Sequence, residues 1–214
     1  YRLVVEEVEI ALDDLPPALE GLRIAQISDM HLKRLSQHDL RTQDLLRRLE
    51  PDMIVITGDL IEHAADYEIW AQRTEQVGAF LDGLPAAPHG IWAVRGNTDL
   101  SRYGGHGELL VRRIQQSPVH LLINEWIRLS VRGETVYLLG IDWAHLPEGY
   151  AADYAVADEE GNRSLAAGPC DGNAFAHYMP DGWPTNVGYT FMGRLRYTDL
   201  ESGIGIVFGS RFPW

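Results

Sequence analysis

A layered α/β fold is predicted by three observations. Short apolar strands alternate with amphipathic helices through the first 142 residues, the order that layered α/β chains follow. Hydrophobic residues make up 45% of the chain and charged residues 23%, enough apolar mass for a buried core and no match to a disordered polymer. The 214 residues suit one domain at roughly 100–200 residues per domain, expected to span 1–214.

The elements follow in order. Leu3 to Ile10 reads as extended, with Val8, Glu9 and Ile10 alternating, and Pro16-Pro17 break it. A strand is expected from Leu22 to Ile27, ending on Ser28-Asp29-Met30-His31. A helix follows through Leu40, Leu45, Leu46 and Leu49 and stops before Pro51. Met53 to Thr57 is a continuous apolar, β-branched run, which predicts a buried strand that ends in Gly58-Asp59. Ile69, Trp70, Val77, Phe80 and Leu81 mark a helical stripe, with the stem of Arg73 along its edge. Gly90 to Val94 reads as a third strand running into Arg95-Gly96-Asn97-Thr98-Asp99. A helix around Leu109 to Ile114 precedes two strands, Trp126–Val131 and Thr135–Ile141, joined by the hairpin signal Arg132-Gly133-Glu134. Residues 143–187 scatter Gly, Pro, Asn and Asp and read as loop-rich. Gly188–Tyr197 and Ile204–Phe208 are expected to close the chain as a hairpin across Glu201-Ser202-Gly203.

Charge and cysteine content exclude several roles. Acidic residues number 31 and basic residues 18, a net charge of −13. Such a field repels polyanions, so a nucleic-acid duplex is not an expected partner, whereas a small phosphorylated substrate remains compatible. A metal ion would reverse the sign locally. Cys170 is the single cysteine, which excludes an intramolecular disulfide and a cysteine-built zinc or iron–sulfur site. No apolar run approaches the roughly 18 residues of a membrane span. The chain begins at Tyr1 rather than Met, so export, or membrane association through a segment absent from this sequence, stays open. A cytoplasmic and a membrane-peripheral location both stay open.

The chemistry is concentrated at three strand ends. Each apolar strand terminates in a polar cluster: Asp29-Met30-His31, Gly58-Asp59 and Gly96-Asn97-Thr98-Asp99. In layered sheets the carboxyl ends of neighbouring strands deliver their last residues to one rim, where ligands collect. Asp29 and His31 are two apart, so on an extended segment both side chains point the same way, toward a shared cation. Glycine before Asp59 lets the backbone turn and leaves the carboxylate free to reach between two ions. Asn97, again behind a glycine, offers a neutral carbonyl oxygen. Oxygen and nitrogen donors without thiolates suit zinc, manganese or iron.

The segments "ISDMHL", "DMIVITGDL" and "WAVRGNTDL" resemble the opening motifs of the calcineurin-like metallophosphoesterases: Asp-x-His, then Gly-Asp, then Gly-Asn-x-Asp/Glu. "LEGLRIAQISDMHL" and "LLINEWIRLSVRGETVYLLGID" are similar to a bacterial branch often tethered to the membrane by an N-terminal helix. The resemblance covers about residues 3–142. It implies a two-sheet β sandwich flanked by helices, and hydrolysis of a phosphomonoester or phosphodiester, with nucleotides and phospholipids among compatible substrates. It implies two divalent ions, with Asp29 and His31 on the first, Asp59 bridging both and Asn97 on the second. Asp59, Asn97 and Asp99 would form the catalytic set, Asp99 orienting a neighbour in the family.

Two departures stand against that pattern. The family usually has histidine after Gly-Asn, thought to assist the leaving group; Thr98 stands there and cannot act as a cationic acid. A good leaving group, such as an aryl phosphate, tolerates that loss better than an alkyl one. The family also supplies late histidines, in a Ser/Gly-His motif and a Gly-His-x-His motif. His177 in "AHYMPD" is the nearest match to the first and is carried as a candidate metal ligand. Gly193-Arg194-Leu195-Arg196 stands nearest the second, and arginine binds phosphate rather than metal. His38, His63, His89, His106 and His145 read as surface residues, and His120, between Val119 and Leu121, as structural. The enzyme reading is weighed against a catalytically impaired scaffold that serves as a binding or structural domain.

Overall fold

Met53–Thr57 shows why its sequence is a continuous apolar run rather than an alternating one. Met53 and Val55 face one apolar cluster and Ile54 and Ile56 face another, so the strand is covered on both sides. The same division holds in the next strand, where Ile91 and Ala93 join the second cluster and Trp92 and Val94 the first. The computed structural model describes residues 3–10, 15–101, 105–123, 125–141, 190–192 and 205–209.

Within these the order is β1 (Ile24–Ile27), α1 (Gln37–Leu49), β2 (Met53–Thr57), α2 (Tyr67–Asp82), β3 (Ile91–Val94), α3 (His106–Gln115) and β4 (Val119–Leu121). Then come β5 (Glu125–Val131), β6 (Glu134–Ile141), β7 (Thr190–Met192) and β8 (Gly205–Gly209). The first sheet has the order β1-β2-β3-β4 and is parallel throughout. The second has the order β5-β6-β8-β7, with β5 and β6 antiparallel and the remaining pairs parallel. Val131, Val136 and Leu138 of the second sheet pack with Met53, Val55, Trp92 and Val94 of the first, which makes the sandwich. On the other face of the first sheet, Leu46 of α1, Trp70, Val77, Phe80 and Leu81 of α2, and Leu110 and Ile114 of α3 form the larger core. The expected architecture of two sheets with flanking helices is what the chain adopts.

Local rules fix the element ends. Ser36 caps α1: its hydroxyl accepts from the His38 N–H, and Asp39 reaches back to the Ser36 N–H at 2.7 Å, a reciprocal cap. Arg132 (φ 50°) and Gly133 (φ 90°) are both left-handed, the two-residue hairpin that suits the twist of β5 and β6. The Arg132 guanidinium donates to the Glu20 carbonyl at 2.8 Å and to Asp52 Oδ2 at 3.0 Å, which ties this hairpin to the start of β2.

Several expectations need correction. Helix α1 buries Asp39, Thr42, Gln43 and Leu46, while Leu40 is exposed; polar contacts rather than a leucine stripe seat it. Gln43 donates to the Phe80 carbonyl at 2.7 Å and Arg47 to the Gly83 carbonyl at 2.6 Å, adding side-chain donors to carbonyls at the end of α2. Ile69 lies outside the buried stripe of α2 and is exposed. His106 is buried, with its ring edge-on to Trp70 and Tyr67. His120 is exposed but stacks on Trp92 at 4.6 Å. The expected closing hairpin is replaced by parallel pairing of β7 and β8. Parallel neighbours need a connection of about a dozen residues, where a hairpin turns in two to five; residues 193–204 separate the two strands.

Candidate metal centre

Strands β1, β2 and β3 lie side by side and parallel, so their carboxyl ends reach one rim. Past that rim the first two segments stay paired through the backbone. Asp29 N–H donates to the Gly58 carbonyl at 3.2 Å, His31 N–H to the Asp59 carbonyl at 2.9 Å and Leu32 N–H to the Leu60 carbonyl at 2.8 Å. The pairing carries Asp29 and His31 alongside Asp59. Their backbones are not extended as expected: Asp29 (φ 56°), His31 (φ 43°) and Asp59 (φ 53°) all occupy the left-handed region. The Asp-x-His side chains are therefore gathered by a doubly kinked loop and not by the two-residue period of a strand. By that route, donor atoms of Asp29, His31 and Asp59 come within 4.8 Å of one another.

Two glycines make the approach possible. A Cβ at Gly58 would collide with the Gly96 backbone, and a Cβ at Gly96 would collide with the backbone and carboxylate of Asp59. The loops after β2 and β3 are thus in direct backbone contact, and Gly58 additionally takes φ 92°.

Asp59 is buried and held from behind. Thr98 donates to its Oδ1 twice, from N–H and from Oγ1, each at 2.9 Å. The Asn97 amide lies 3.1 Å from both Asp59 oxygens. Without a cation that contact requires the NH2 to face the carboxylate; with the carbonyl oxygen facing it, acceptors confront acceptors and a positive ion is needed between them. Asp29 is exposed and His31 half-buried, so the cluster opens to solvent on their side. His31 Nδ1 stands 3.6 Å from Glu62 Oε2, and Lys33 Nζ stands 4.0 Å from Glu62 Oε1. Glu62 escaped the sequence reading, because a glutamate three places beyond Gly-Asp carries no motif of its own. Arg73 in α2 donates to the Glu62 carbonyl at 3.0 Å, anchoring that loop.

Asp99 sits differently from the other acids. It is fully buried, and both oxygens accept backbone N–H groups: Leu60 at 2.9 Å and Ile61 at 3.1 Å on Oδ1, Gly96 at 2.8 Å on Oδ2. Burial pushes its carboxyl up to about 7, with the neighbouring Asp59 charge adding, against the lowering pull of the three N–H donors. In this arrangement Asp99 ties the β2 loop to the β3 loop. His177 lies outside the described residues.

The donor set fits one divalent ion held by two carboxylates and an imidazole, with the Asn97 amide adjoining. Parallel strands that deliver such a cluster at one rim, backed by a second sheet, define a layered α/β domain with a candidate metal centre. The calcineurin-like phosphoesterase family profile matches residues 22–161, and the chain belongs to that family. It is similar to the uncharacterized metallophosphoesterase YkuE of Bacillus subtilis (29% identity over 68% of this chain and 44% of that protein). It is also similar to the uncharacterized metallophosphoesterase YkoQ of the same organism (27%, over 64% and 49%). A third relative is the UDP-2,3-diacylglucosamine pyrophosphatase LpxG of Chlamydia muridarum (40%, over 40% and 25%). The chain spans less than half the length of these curated relatives. The family uses divalent metals, which agrees with the gathered Asp, His and Asp.

Proposed function

We propose that this chain hydrolyses a phosphomonoester or phosphodiester at a centre built by Asp29, His31, Asp59 and Asn97. The observation that carries the reading is the convergence of three ligand side chains from two separate strand ends within 4.8 Å, on a rim that faces solvent. Asp29, His31 and Asp59 would hold a first ion; Asp59 and Asn97 would contribute to a second, with zinc, manganese or iron suited to the donors. Bound divalent ions lower the pKa of water toward neutrality and draw charge from phosphate oxygens. The chain's own contribution is positional. Asp59 is fixed by Thr98, its loop is fixed by Asp99, and the glycines let both loops approach the same point. The phosphorus–oxygen bond to the leaving group breaks with little help from Thr98, which favours substrates whose departing oxygen is a weak base. The name of the chlamydial relative suggests a nucleotide-linked lipid as one substrate class.

Metal content of the purified protein, measured by elemental analysis beside Asp59→Asn, tests this reading. Near-stoichiometric metal that is lost in the variant, with loss of metal-dependent hydrolysis, is expected. Equal metal and equal turnover in both proteins would overturn the assignment. A second reading, a binding scaffold without catalysis, is favoured by one observation: the nearest the sequence comes to the family's late Gly-His-x-His motif is Gly193-Arg194-Leu195-Arg196. It predicts that Asp59→Asn raises the melting temperature of the metal-free protein by relieving like-charge crowding.

A further inference from the structure

We propose that Thr98 is a positioning residue for the metal carboxylate: its hydroxyl and N–H together dedicate Asp59 Oδ1 to the protein and leave Oδ2 for the cation. The proposal rests on the reading of Asp59 as a metal ligand. A carboxylate oxygen accepts in two lone-pair directions. Both donors of Thr98 arrive at Oδ1 at 2.9 Å, so Oδ1 is satisfied without metal, while Oδ2 faces the Asn97 amide, which lies 3.1 Å from both oxygens and would share that oxygen with a cation. The Thr98 hydroxyl has a single hydrogen, and Asp59 takes it. That hydrogen is then unavailable to a departing oxygen, and Thr98 acts through Asp59 rather than on the substrate.

The arrangement has a physical reason. Asp59 is buried while its partners Asp29 and His31 are open to solvent, so it is the ligand least able to be oriented by water. Its backbone is left-handed, and its backbone and carboxylate both lie in the space beside Gly96, which packs the carboxylate without donating a hydrogen bond to it. Two hydrogen bonds from one neighbour set the carboxylate torsion. Partners of this kind behind a metal ligand change metal affinity by about 10- to 100-fold when removed.

The test is Mn2+ binding, read from the free-ion electron paramagnetic resonance signal, for wild type, Thr98→Ala, Thr98→Val and Thr98→Ser. Mn2+ affinity is expected to fall about tenfold or more in Thr98→Ala and Thr98→Val, and to return to within about threefold of wild type in Thr98→Ser. Thr98→Ala removes the hydroxyl without adding bulk, so a folding defect in the valine variant leaves the test intact. Melting with chelator present separates a structural role: positioning predicts a reduced metal-induced rise in melting temperature on top of any loss shared with the metal-free protein. Wild-type binding with equal affinity in the alanine variant would overturn the role of Thr98 and leave the metal centre standing. Failure of wild type itself to bind Mn2+ would overturn both. A serine variant that binds as weakly as alanine would also overturn the proposal, since it carries the same donor.

Discussion

Gly96 shows how narrowly the centre is fitted at the scale of single residues. Its missing side chain is the space that the Asp59 carboxylate and backbone occupy. Gly96→Ala is expected to cost about 3 kcal/mol of stability in denaturant unfolding, because the obstacle is buried backbone that cannot move aside. Metal binding should be lost even in the fraction that folds. From the sequence, this glycine read as a turn former; its contact with Asp59 was invisible because that contact crosses between two strands. The clustering of Asp29, His31 and Asp59 was legible because each follows an apolar run, where the pattern breaks. The left-handed backbone of Asp29 and His31 was not, since an Asp-x-His triplet reads equally well as extended chain. Glu62, 3.6 Å from His31, left no mark in the sequence for the same reason that Gly96 did: proximity came from folding rather than spacing.

At the scale of elements, the site depends on strands that start in register. Asp52 does this at the opposite end of β2, where its Oδ2 accepts the Arg23 N–H at 2.8 Å and the Arg132 guanidinium at 3.0 Å. One carboxylate thereby links the start of β1, the start of β2 and the β5–β6 hairpin. Burial raises the carboxyl of Asp52, but the Arg23 N–H and Arg132 outweigh it and hold the group below its ordinary 3.8. A carboxyl lowered in the folded state contributes stability above its ordinary pKa and loses it as pH falls through the folded value. Asp52→Asn should therefore lower stability by about 1 kcal/mol at neutral pH, discounted for partial exposure of the pair. Denaturant midpoints of the two proteins should converge as pH falls below 3.8. The β-strands and α2 were readable because apolar pattern decides them. The seating of α1 was not, because Gln43 and Arg47 bind carbonyls of α2 and a polar contact has no periodicity to read.

For the whole molecule, the net charge of −13 opposes the anionic substrate that the centre is proposed to take. Long-range repulsion slows encounter, and salt screens it within about 10 Å at 0.1 M. The kcat/KM for a dianionic aryl phosphate, measured at saturating metal, should rise roughly twofold or more as ionic strength increases from about 10 to 150 mM. A fall with salt would show that local positive charge at the centre governs capture. The layered α/β class was legible from alternation alone, whereas the sandwich came from family resemblance. The pairing direction of β7 and β8 came from neither, because two short apolar runs carry no information on which way they run together.

The left-handed backbone of the three clustered residues also limits which sequences this rim accepts. Outside glycine, the residues that tolerate φ near +50° most readily are asparagine, aspartate and histidine, whose short polar side chains suit that conformation. Asp29, His31 and Asp59 all belong to that small alphabet. Backbone shape thus screens the three positions for ligand-type side chains before any ion arrives. Random substitution that spares the fold would then fall most often on asparagine or glycine, removing charge while leaving the loops in place. Carboxylate-to-asparagine exchange at either aspartate is accordingly the least disruptive way to silence the centre, and a relative that had given up catalysis would be expected to keep this rim in outline.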